Sequence, residues 1–203
     1  MHRLLALCAA LFVLAGCAVP TYEVTDPKLD LGDFVLGHNI AVTKNITKGP
    51  LSREMSPERW EAAVENAVEA RLGRYEGDRL VHLGINVAGY VLAQPGVPLV
   101  MAPKSALILM VSAWDDRAGK KFNAEQKEIV VLETITGASM IGSGLTMDAE
   151  EQMANLSYNA AKAIEAWLHE NRVCLTDTAT ASQLAACWQD NKDDRSREAI
   201  ENQ

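Results

Sequence analysis

Residues 79–93, RLVHLGINVAGYVLA, set the strongest constraint on the fold. Val81, Leu83, Ile85, Val87 and Val91 fall on one face at a period of two, the repeat of an extended strand. One strand cannot bury such a face, so its neighbours must supply a sheet and a cover. Residues 34–44, 104–114 and 127–135 are apolar and β-branched enough to be the other strands. Ser56, Pro57 and Glu58 read as the N-cap, first position and acidic first turn of a helix. That helix carries Trp60, Val64, Ala67, Val68, Leu72 and Tyr75 as one stripe, and Gly73 or Gly77 ends it. A second long helix begins near Thr146 and buries Met153, Leu156, Ala160, Ile164, Trp167 and Leu168. A short one spans about 178–188. The expected fold is α+β, a two-layer sandwich in the order β-α-β-β-β-α. Its four-stranded mixed sheet carries two long helices on one face, plus a short C-terminal helix.

Two helices cover only one face of a sheet, yet the other face is poorly polar. It would carry Leu80, His82, Asn86, Tyr90 and Leu92 on one strand and Ile108, Met110 and Trp114 beside Ser112 on the next. A face open to water should alternate more cleanly. Either the chain covers it, through Leu184 and Trp188 or the N-terminal segment, or a protein partner, a second copy or a lipid ligand does. The same choice arises at QPGVPLVMAP, residues 94–103, where Val97, Leu99, Val100 and Met101 occupy what should be a polar hairpin tip. They fold back on the core or form a docking tip.

The N-terminus places the chain. His2 and Arg3 precede an uncharged apolar run from Leu4 to Leu14, which is the length of an export signal and too short to span a bilayer. Leu14-Ala15-Gly16-Cys17 resembles the lipobox of bacterial lipoproteins. The resemblance implies removal of residues 1–16, a diacylglyceryl group on the Cys17 thiol and acylation, as by palmitate, of its amine. More than one acyl chain anchors stably. Ala18 stands where many such proteins carry an inner-membrane retention Asp, so by that likeness the anchor belongs to the periplasmic face of the outer membrane. Residues 17–33 then form a lipidated tether, 34–188 a single periplasmic domain and 189–203 a polar tail.

Export also bears on the cysteines. With Cys8 removed and Cys17 lipidated, Cys174 and Cys187 remain as an even pair in an oxidising compartment, where a structural disulfide is expected over two buried thiols. The net charge of −8 opposes nucleic acid and anionic head groups, so no nucleic-acid partner is expected. Signals for chemistry are weak. Asp115 and Asp116 are strand neighbours that point to opposite faces. Gly142-Ser143-Gly144 lacks a Walker lysine and the GxSxG elbow. His38, His82 and His169 are scattered, without HExxH or other metal spacing. No cofactor or metal is expected.

The β-α-β-β-β-α order behind a lipidated tether resembles the small auxiliary lipoproteins of envelope transport and assembly machines. That likeness rests on element order and implies binding without turnover. The expectation is a non-enzymatic, membrane-anchored protein that docks an envelope protein or a second copy. The expected surface comprises Val97, Leu99, Val100 and Met101 with Tyr90, Ile108, Met110 and Trp114. The rival is a small-ligand or lipid carrier, or a hydrolase, with a pocket near Ser143, His82 and Tyr90.

Overall fold

A computed structural model describes residues 22–94, 105–133 and 147–193. Cys17, the tip residues Val97, Leu99, Val100 and Met101, and Ser143 lie outside these. The described elements are β1 (Phe34–Val42), β2 (Thr47–Lys48), α1 (Pro57–Leu72), β3 (Arg79–Val91) and β4 (Ala106–Asp115). After them come β5 (Lys120–Lys121), β6 (Lys127–Leu132), α2 (Ala149–Glu170), a 3-10 turn (Arg172–Leu175) and α3 (Ala181–Ala186).

The fold is α+β with a mixed sheet, in which β1 runs parallel to β3 while β4 is antiparallel to both β3 and β6. The sheet has six strands rather than the expected four. The extra two are pairs of residues that prolong existing lanes: β2 continues the β1 lane against Gly89 and Tyr90, and β5 continues the β6 lane against Trp114 and Asp115. Each break has a physical cause. Asn45 turns the chain between β1 and β2 with φ of 58°. Between β5 and β6 the fully buried Asn123 substitutes for ladder backbone, its Oδ1 accepting from Ala113 N–H at 2.9 Å and its Nδ2 donating to Val111 O at 3.0 Å.

Val81, Leu83, Ile85 and Val87 do face the helices, where they meet Trp60, Val64 and Val68 of α1 and Met153, Leu156, Ala160 and Ile164 of α2. The alternation then breaks at a bulge between Val87 and Gly89. One extra residue reverses every later side chain. Tyr90, expected on the far face, is therefore in the core: its ring lies 5.1 Å from that of Trp60, and its hydroxyl donates to Met55 O. Leu92 follows it inward, and Val91, expected on the helix face, is carried to the other.

The helices start and stop on local signals. Pro57 opens α1 and Gly73 ends it. Asp148 caps α2 through a reciprocal capping box with Glu151. Gly77 sits where α1 hands over to β3, against β1, and a Cβ there would lie 2.1 Å from Asp33 O.

Among the described residues, neither Leu184 and Trp188 nor residues 22–33 cover the far face. Leu184 is half exposed, and Trp188 joins the helix side of the core, its ring 5.0 Å from Trp167 and 5.5 Å from Phe122. Residues 22–33 lie on the outer surface of the helices. Arg71 and Glu165, both nearly sealed from solvent, face each other there with Nη1 to Oε2 at 2.6 Å. Glu165 Oε1 also accepts from Arg74 and from the Tyr75 hydroxyl. Burial opposes the charge on each; their mutual bonds, with Asp26 on Arg71 and Tyr75 and Arg74 on Glu165, outweigh it, so Arg71 is shifted up and Glu165 down. Arg71 Nη2 reaches Asp26 at 2.8 Å, and Lys162 lies 3.2 Å from the same carboxylate. Those two hydrogen bonds, Arg71's first, hold the Asp26 carboxyl at about 2 against its ordinary 3.8.

A carboxylate depressed in this way adds stability that is complete above its unfolded pKa and is lost as pH falls through the folded one. The urea midpoint should therefore drop more steeply for the parent than for Asp26→Asn as pH falls from 3.8 to about 2. Parallel curves would show that Asp26 gains nothing on folding.

Cys174 and Cys187 are joined, with α-carbons 6.4 Å apart. The bridge holds the residue before Trp188, whose backbone is left-handed at φ of 61°, a conformation costing about 1–3 kcal/mol outside glycine. Reduction should release Trp188 and speed amide exchange over 181–193 while β3 and α1 stay protected. The stability lost should be at most about 3 kcal/mol. Unchanged exchange in 181–193 would show that packing alone holds the segment.

Candidate functional site

The far face of the sheet is open around the β1–β3–β4 crossing. Ile40 and Val42 on β1, Leu80 on β3 and Trp114 on β4 are 57, 44, 39 and 41% exposed. Ile40, Val42 and Trp114 line a groove of about 620 Å³ whose other lining includes His82, Gly84, Asn86, Ser112 and Lys121. Gly84 leaves the floor low, since no atom lies within 4 Å of where its Cβ would be. The Lys121 ammonium stands 5.3 Å above the Trp114 ring. Asn86 Oδ1 is buried and accepts no hydrogen bond. The site is thus an apolar floor with a sparse polar rim.

One rim cluster escaped the sequence. His38 and His82 stack at 5.1 Å with 17° between their rings. His82 Nδ1 lies 2.8 Å from His38 N, and Nε2 lies 3.0 Å from Asp116 Oδ1. A backbone N–H can only donate, so Nδ1 is the acceptor, and neutral His82 carries its proton on Nε2, pointing to Asp116. Both ring nitrogens are engaged, which leaves no lone pair for a general base. The cluster instead pins an irregularity: the β1 register slips between Leu36 and Asn39, and the His82 ring takes the N–H that the ladder loses. Gly37 permits this approach, because a Cβ there would lie 2.5 Å from Nδ1. The pairing needs strand register, which spacing along the chain does not supply.

The expected site residues divide. Trp114 is exposed on the open face, with Ile108 and Met110 half-buried on the same side. Tyr90 is a correction, since the bulge turns it to the core. For the same reason His82 and Tyr90 stand on opposite faces and line no common pocket. Asp115 is buried against Arg79 at 2.6 Å while Asp116 meets His82, so the two carboxylates do part. Among the described residues, no group of three or more His, Cys, Asp or Glu could hold a metal, and no helix is long and apolar enough to cross a membrane. A second groove of about 620 Å³, between α2 and β6, has in its lining Lys127 paired with Asp190 and Lys162 paired with Asp26.

No family model and no curated protein matches the chain. Solved structures align with it remotely. A candidate lipoprotein from Caulobacter crescentus CB15 is 12% identical over 63% of this chain and 90% of that one, with a TM-score of 0.36. A DUF330 protein from Xanthomonas campestris is 10% identical over 77% and 97%, with a TM-score of 0.38. A minor lipoprotein from Acinetobacter baumannii is 15% identical over 63% and 94%, with a TM-score of 0.30. At these scores the likenesses carry no inference about function.

Gly37→Ala should push the His82 ring off His38 and cost about 1–3 kcal/mol, as overpacking does. The His82 ring resonances should shift with the loss of the Nδ1 bond. If they stay in place, the ring does not pin the slip in β1.

Proposed function

We propose that the chain is an exported, lipid-anchored envelope protein that acts without turnover and docks another envelope protein on the open face of its sheet. The carrying observation is that Ile40, Val42, Leu80 and Trp114 share one uncovered face. An apolar centre with an aromatic anchor and a polar rim is the composition of a protein interface. A membrane surface fits less well, because a net charge of −8 is repelled by anionic head groups. The occupied nitrogens of His82 also argue against hydrolysis at this face. Anchoring rests on Cys17 in its Leu-Ala-Gly-Cys setting, and on Ala18 the outer membrane is the favoured site.

Photo-reactive residues at positions 42 and 114 of the lipidated protein in its own envelope should give discrete adducts, whereas position 66 on α1 should give none. Adducts that are absent from 42 and 114, or equal at 66, would overturn the docking face. Cys17→Ser should lose the acyl mass and leave the membrane fraction. Unchanged fractionation would overturn the anchor.

A further inference from the structure

The clamp that holds residues 22–31 has a consequence for how the domain stands on a membrane. Tyr22 stacks on Tyr158 at 6.4 Å. Asp26 is held by Arg71 and Lys162, and its carbonyl accepts from Arg74 at 2.7 Å. Leu29 N–H donates to the Tyr75 hydroxyl at 2.9 Å, the Asp30 carbonyl contacts His169 Nδ1 at 2.6 Å, and Leu31 is buried. Tyr158, Lys162, Glu165 and His169 recur at i, i+4, i+7 and i+11, one face of α2. Leu156, Ala160, Ile164 and Trp167 are buried on its other side, toward the sheet. The segment therefore runs over the outer surface of the helix layer, with the helices between it and the sheet. Glu165 lies beside this surface yet is only 2% exposed, its carboxylate taken up by Arg71, Arg74 and Tyr75, the first two of which also hold Asp26.

We propose that this clamp orients the anchored domain, holding the helix layer toward the bilayer and the open sheet face away from it, where only a partner in the aqueous space or on an opposing surface can reach it. The proposal rests on lipidation at Cys17. Five residue steps separate Cys17 from Tyr22, a reach of at most about 18 Å. The helix layer is about 10 Å deep and the sheet with its side chains about 10 Å more. To lay the open face on the bilayer, the leash would have to span both layers and also travel from Tyr22 to the rim of the domain. It is too short. A freely coiled tether up to Phe34 would impose no such bias, so the clamp makes the orientation.

Asn66→Cys on the outer surface of α1 and Ile40→Cys on the open face each add one reactive thiol, since Cys17 carries lipid and Cys174 and Cys187 are bridged. Each lipidated variant is labelled with a donor dye and placed on phosphatidylethanolamine–phosphatidylglycerol vesicles bearing a headgroup acceptor. Energy transfer from position 66 should be at least about twofold that from position 40, the separation being set by about 20 Å of protein. Equal transfer, or stronger transfer from 40, by vesicle-bound protein overturns the orientation. Protein that fails to stay on the vesicles overturns the lipid reading instead. A flexible Gly-Ser insert of about twelve residues after Ala18 lengthens the leash to about 60 Å and should abolish the contrast. Contrast that survives the insert overturns the clamp as its cause.

Discussion

The Arg71–Glu165 pair is the interaction around which the rest is arranged. Burying two opposite charges costs several kcal/mol each and is recovered only where hydrogen bonds take up most of their donors and acceptors. Here Arg71 spends Nη1 on Glu165 and Nη2 on Asp26, and Glu165 Oε1 accepts from both Arg74 and Tyr75. The groups come from α1, from its exit turn, from α2 and from the N-terminal segment, so only one mutual placement satisfies them all. Apolar residues of similar volume would hold two helices together as well, but with weaker preference for one placement. What the charges add is the fastening of a segment of which only Tyr22 and Leu31 pack against the core.

With the helices set, outer N–H groups along the β1 and β6 edges are taken up by side chains or by the chain's own tail. Ala41 N–H and Thr43 N–H, on the outer side of β1, donate to Glu65 and Glu61 of α1. On the outer side of β6, Glu128 N–H donates to Asn191 O and Val130 N–H to the Asp193 carboxylate. Open edges invite pairing with any extended chain. Occupying these groups disfavours strand addition at β1 and β6, and at the proposed docking face recognition would depend on side-chain shape and not on backbone alone.

Much of the architecture was legible because it depends on local chemistry. The Ser56-Pro57 start, the acidic first turn of α2, the period-two run of β3 and the even cysteine pair each act over a few residues. The failures share one cause, which is dependence on register or distant partners. Ala88 carries no mark of the bulge beside it, yet that bulge exchanges Tyr90 with Val91. Asn123 resembles any loop asparagine until Val111 and Ala113 are placed opposite it. Residues 22–33, with a proline and several acids, have the composition of a free tether, and Asp26 alone gives no sign of being held. One clue was available in α1: Arg71 falls in the apolar stripe of Trp60, Val64, Ala67 and Val68. An arginine there must either leave the core or bring an acid into it.

In the proposed arrangement, attachment and contact lie on opposite broad surfaces of the domain. On the proposed anchoring at Cys17, the acidic balance of the chain pushes it from an anionic bilayer, while a short leash fixed to the helix layer limits how far it can go. Repulsion falls off within about 8 Å at physiological salt, so near the end of a leash of at most about 18 Å the domain is held by its tether more than by its charge. Rotation is then the remaining freedom, and a leash fixed at Tyr22 on one broad surface permits much less of it than one fixed at the rim. The groove lined by Ile40, Val42 and Trp114 lies on the opposite broad surface, and none of residues 22–33 lines it. A partner held on the same membrane would have to reach around about 20 Å of protein. One arriving from the aqueous side meets the groove directly.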